Sequence, residues 1–126
     1  MRFFAPRLPT SLLQSFVAAG SFVNIMTIPP DYISYFAGDG PKEGALSVEP
    51  GWFQLWAPDQ IEKLNQDYAV QEFAPEFLGF GSSGGGEMLA FDERGAVFMI
   101  PFIGMSSDLA EPVAGSWREF VEKMER

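Results

Sequence analysis

Apolar and polar positions along the chain change period several times, and each change marks an element. In "RLPTSLLQSFVAAGS", Leu12, Leu13, Phe16 and Val17 recur at spacings of three and four, which predicts a helix. Ser11 and Gln14 fit a capping box at its start, and Gly20 stops it. "FVNIMTI" is apolar and β-branched, either an extended connector or a continuation. "PPDYISYFAGDG" predicts a short helix. Its prolines set the entry, Asp31 suits the first turn, and Tyr32, Tyr35 and Phe36 share a face before Gly38 and Gly40.

"GALSVEPGWFQLWAP" is strand-like and broken by a turn at Pro50-Gly51. Alternation in "WFQLW" sends Trp52, Gln54 and Trp56 one way and Phe53 and Leu55 the other. "APDQIEKLNQDYAV" predicts a helix with Pro58 in its first turn, Asp59 and Glu62 near its positive end, and Ile61 and Leu64 facing inward. "EMLAFDERGAVFMIPFIG" predicts a hairpin with strands near 87–91 and 96–103. Its turn covers Asp92–Gly95, with Gly95 in the left-handed position. "AGSWREFVEKMER" predicts a helix capped by Ser116 and Glu119, with Trp117, Phe120, Val121 and Met124 on its apolar stripe. The expected fold is α+β, a mainly antiparallel central sheet flanked by N-terminal, middle and C-terminal helices. With no internal repeat and no long linker, 1–126 reads as one domain.

Composition narrows the chemistry. There is no cysteine, so disulfides, thiolate metal sites and cysteine nucleophiles are excluded. Histidine is also absent, which removes the usual general base near neutral pH and the commonest zinc ligand. Net charge is −9, and the stretch from Glu43 to Glu93 holds ten acids against the single base Lys63. That imbalance either keeps a solvated face soluble or steers the domain toward a basic partner. Nucleic acid is disfavoured, because phosphate binding needs a basic footprint. The apolar start is interrupted by Pro6, Pro9, Gln14 and Ser15, so no leader-type apolar core forms, and no run is long enough to span a bilayer. A cytoplasmic location is expected.

The richest candidate for chemistry is "FGSSGGGEMLAFD". A phosphate loop needs a lysine and a following helix; here Glu87 stands where positive charge is wanted, and a strand follows. The dinucleotide loop fails the same context test. Gly84, Gly85 and Gly86 therefore read as architecture, a tight turn into a sheet strand, and no cofactor is expected. The serines lack a histidine, and "SSGG" is not a nucleophile elbow. A carboxylate hydrolase using a pair such as Asp92-Glu93 is the residual enzymatic reading. "DGPKEG" lacks the alternating oxygen ligands of a calcium loop, and no metal is expected.

The ordered set of segments resembles the SUKH superfamily, which includes bacterial immunity proteins of polymorphic toxin systems and a yeast regulator of cell-wall synthesis. The resemblance is carried by Pro30-Asp31-Tyr32 with Gly38 and Gly40, Leu55-Trp56 with Asn65, Gly84-Gly85-Gly86, and Ser116-Trp117 with Phe120, over residues 28–124. "GDG" at 38–40 departs from the Asn-Gly of many relatives, though Asp makes the same local turn contacts. The resemblance implies a non-enzymatic domain that binds another protein, in bacteria often a toxin. A basic toxin domain such as a nuclease is the expected partner, with a regulatory or scaffold role toward an endogenous protein as the alternative. Candidate contacts are Asp39, Trp52, Trp56, Glu72, Glu76 and Glu87, since aromatic anchors ringed by charge suit such an interface. Trp52 and Trp56 are equally consistent with core positions.

Overall fold

The computed structural model describes residues 27–125. The helix expected between Arg7 and Gly20 lies outside them. Six strands form one antiparallel sheet in chain order: β1 (Glu43–Ala45), β2 (Trp52–Leu55), β3 (Leu78–Ser82), β4 (Glu87–Phe91), β5 (Val97–Pro101) and β6 (Glu111–Ala114). The sheet curls, and helices lie on both of its sides, so the domain is α+β as expected.

One side is covered by α1 (Pro30–Ala37) and α4 (Trp117–Glu122). Pro29 and Pro30 fix the start of α1, and Tyr32 is its fully buried residue. Tyr32 packs edge-on against Trp117 at 4.9 Å and lies 5.4 Å from Phe80, while Phe80 stacks on Phe91 at 4.3 Å. Phe53, Leu89, Val97 and Phe120 complete this aromatic core. A buried phenol must place its hydroxyl. Tyr32 donates to the Trp56 carbonyl at 2.6 Å and sits 3.3 Å from that of Phe80. Burial pushes its ionisation above the ordinary tyrosine range, with the Trp56 bond opposing.

The other side carries the single turn α3 (Val70–Phe73), which follows α2 (Pro58–Asp67) through Ala69 at φ 57°; α2 lies beside β3, and its Ile61 joins the first core. Val70, Ala74, Phe77, Met88, Ala90, Ile100 and Met105 form a second, smaller cluster there. Ile61 is buried as expected, but its partner four residues on is polar. Asn65 donates to the carbonyls of Ile61 (2.7 Å) and Gly79 (2.9 Å) and accepts from the Gly79 N–H at 2.8 Å. The β2–β3 pairs are Gln54 with Ser82 and Leu55 with Gly81, so the Asn65 amide occupies strand-like positions on β3 at Gly79.

The antiparallel hairpin of β4 and β5 forms as expected, with β5 ending at Pro101 rather than at 103, Phe91 opposite Val97 and Gly95 at φ 87°. Ser116 caps α4 by accepting from the Glu119 N–H at 3.1 Å. The reciprocal bond is displaced by one residue, since the Glu119 carboxylate accepts from Gly115 rather than Ser116. β3 and β6 are additions to the elements read from the sequence. A bulge at Phe80 breaks the β3–β4 register, and β3 passes so close to β2 that a side chain at Gly81 would collide with the Gln54 carbonyl.

Candidate protein-binding surface

Strand alternation decides which side chains leave the second face beyond the reach of α2 and α3. Glu43 pairs with Gln54, Gln54 with Ser82 and Ser82 with Met88, so these four share a face. Ala45 and Trp52 form the next row on that face. Met88 is fully buried under the second cluster, but Glu43, Trp52 and Gln54 are exposed, Trp52 at 40%. Among the described residues, no layer covers this corner of the sheet.

Its borders are aromatic and glycine-rich. A Cβ on Gly84 would lie 3.0 Å from Trp52 Cδ1, so the indole is held by one edge against the loop. Trp56 is half-buried and stacks on Tyr68 with centroids 5.9 Å apart and planes at 14°. Tyr68 in turn meets Phe102 at 4.7 Å, and the Phe102 N–H donates to the Gly86 carbonyl at 2.9 Å. Ile103, next in the chain, is 93% exposed.

The glycine loop is internally satisfied. Gly84 N–H donates to the Ser82 hydroxyl at 3.2 Å, and the N–H groups of Gly85 and Glu87 both donate to the buried Ser83 hydroxyl at 3.2 Å. That hydroxyl donates to the Glu87 carboxylate at 2.9 Å. The N–H groups of Ser83, Gly84, Gly85 and Glu87 are thus engaged within the loop, and the one charge present is negative. Gly84 alone of the three glycines has positive φ, at 78°. Among the described residues, no cluster of three or more acidic side chains is placed to hold a metal ion, and no helix is long and apolar enough to cross a membrane.

The candidate contacts do not converge on one patch. Trp52 and Trp56 border the uncovered corner from two sides. Glu87 directly precedes Met88, so the pleat sends it to the opposite face, where it holds Ser83. Asp39 is exposed in the loop joining α1 to β1, and Glu72 is exposed on α3. Glu76, just before β3, accepts a hydrogen bond from Ser107, which lowers its ionisation below the usual glutamate range. Glu43, Ser82, Tyr68 and Phe102 belong to the surface and were not among the expected contacts. Glu43 was recoverable from the sequence, because counting back through the Pro50-Gly51 turn sets it opposite Gln54.

No family model matches the chain, and no curated protein matches it.

Proposed function

We propose that the domain acts by binding another protein, as an immunity-type inhibitor whose acidic surface covers a basic toxin domain. The unpaired acid supports this reading most. All 17 acidic residues fall within 27–125, where the basic ones are Lys42, Lys63, Arg94, Arg118 and Lys123. The ion pairs among the described residues, Lys63–Asp67 and Lys123–Glu119, engage two of those acids and are both i,i+4 pairs, the first exposed and the second with a half-buried lysine. The remaining field is open to a partner, and such fields raise association rates when the partner is of opposite sign. A nuclease toxin must itself be basic to hold its substrate, so an acidic cover competes on the same terms.

The test is co-expression of the full chain with the toxin module encoded beside its gene. Survival of the host and a salt-sensitive complex are expected. A neighbouring toxin that is neither bound nor neutralised would refute the immunity reading, and a defined endogenous partner would replace it with a regulatory one.

A further inference from the structure

We propose that the uncovered corner of β1 and β2 is the docking surface, and that its occupant is a basic protein segment. An arginine guanidinium lies over the Trp52 indole and pairs with the Glu43 carboxylate. This rests on the protein-binding reading above and adds where the partner sits and what it presents.

The sheet offers a partner its edges or its faces, and the edges are obstructed. Beside β1, the Ser47 N–H donates to the Lys123 carbonyl at 2.8 Å, the Glu125 N–H donates to the Ala45 carbonyl at 2.9 Å, and Leu46 bridges Met124. The chain's own C-terminal segment therefore occupies that edge. At the other end, β6 is four residues long and carries Pro112, which has no N–H to give a new strand. The face under α1 and α4 is filled by the aromatic core. Among the described residues, what remains open is the corner with Trp52.

Its chemistry selects a cation. Between β1 and β3 the face presents Glu43, Ala45, Trp52, Gln54 and Ser82, of which Glu43 alone ionises. The neighbouring base cannot neutralise it. Lys42 leaves the opposite side of the strand, donates to the carbonyls of Gly38 (3.0 Å) and Gly40 (2.9 Å), and lies 5.2 Å from the Phe36 ring centre. A guanidinium suits an exposed indole beside a carboxylate better than an ammonium does. It is planar, stacks on aromatic faces and forms paired hydrogen bonds to carboxylates. Apolar residues flanking that arginine meet Ala45 and the rim of Trp56, Tyr68 and Phe102.

The experiment is a backbone-amide NMR titration of the full chain with two short peptides, one alternating Arg and Leu, the other alternating Glu and Leu. The Arg peptide is expected to shift residues 43–45, 52–54 and 82–86 and the Trp52 indole N–H, while the Glu peptide leaves them unmoved. Trp52→Ala should weaken binding about three-fold or more. Glu43→Gln should weaken it about two-fold and flatten its salt dependence. Gln54→Lys, an exposed change that places a cation on the face, should abolish binding while the remaining spectrum shows an intact fold. Shifts confined to the acids of α2 and α3 would overturn the surface and leave the basic-partner reading standing. No response to the Arg peptide would overturn the occupant, with toxin capture deciding the broader reading separately. Concentration-dependent shifts of these residues without peptide would overturn it too, by making the occupant a second copy of the chain.

Discussion

Under α1 and α4, Tyr32, Phe53, Phe80, Phe91, Trp117 and Phe120 are all buried in one cluster, whereas on the opposite side of the same sheet Trp52 stands 40% exposed. The backbone treats the two sides alike; the layers above them do not. α1 and α4 come from opposite ends of the described chain and close over the first face with aromatic rings. α3 is a single turn, and the cluster it joins through Val70 takes its strand residues from β4 and β5, while Ile61 of α2 belongs to the first core. The buried aromatic rings are concentrated on the first face, and among the described residues a corner of the second stays exposed.

The largest expected effect tests that division directly. Phe120→Ala removes a fully buried ring that packs against Phe53, Phe80 and Trp117, and should cost about 3–5 kcal/mol. Trp52→Ala removes a larger side chain and should cost only about 0.5–1 kcal/mol, because much of that ring already meets water. Chemical denaturation of both variants gives the comparison. Equal losses would mean that the second face is not the open one.

Next in size is the polar tie between α2 and the sheet. Asn65→Leu keeps the branched shape but strands the Gly79 N–H and carbonyl, and should cost about 1–3 kcal/mol. Asn65→Asp should be worse, since a carboxylate cannot donate to the Ile61 and Gly79 carbonyls and would be buried with its charge. Amide exchange at Gly79 should accelerate in Asn65→Leu, which removes the acceptor of that N–H. An unchanged exchange rate there would mean that the helix is held by packing alone.

Much of this was legible in the sequence, and what was not shares a cause. The β4–β5 hairpin announced itself through Asp92 and Gly95, and α4 through Ser116, because turn and cap chemistry is local. β3 was hidden, since "LGFGS" places two glycines where a strand would carry side chains. Those glycines answer to neighbours distant in sequence: Gly79 to Trp56 and Met88, Gly81 to the Gln54 backbone. β6 was hidden by its proline and its shortness. Asn65 looked like one more polar helix residue until its partner, fourteen positions later, was in place. The aromatic alternation of β2 did expose Trp52 as facing away from Phe53, but which face had a cover depended on the whole fold.

The pass of β3 against β2 gives a third, smaller effect. Gly81→Ala drives a methyl group into the Gln54 carbonyl and should cost about 1–3 kcal/mol by prising the strands apart. Gly86→Ala, with nothing near its added carbon, should change stability by about 0.5 kcal/mol or less. Thermal melts of the pair separate a glycine required by contact from one that is not. If Gly81→Ala were neutral, β2 would be loosely attached and the Trp52 corner mobile with it.

The smallest expected effect lies at the rim of the second cover. Glu76, entering β3, accepts from the hydroxyl of Ser107 in the single 3-10 turn Ser107–Leu109, and this bond holds its ionisation below the usual glutamate range. A carboxylate whose folded-state pKa lies below its unfolded value adds stability at pH above the unfolded value. That contribution is lost as pH falls through the folded one. Ser107→Ala should therefore return Glu76 toward the ordinary range, seen in an NMR titration of its side-chain carboxyl carbon. Because Glu76 is exposed, stability near neutral pH should barely move, and the difference between variant and parent should vanish in acid. An unaltered Glu76 titration in Ser107→Ala would show that the bond is not formed in solution.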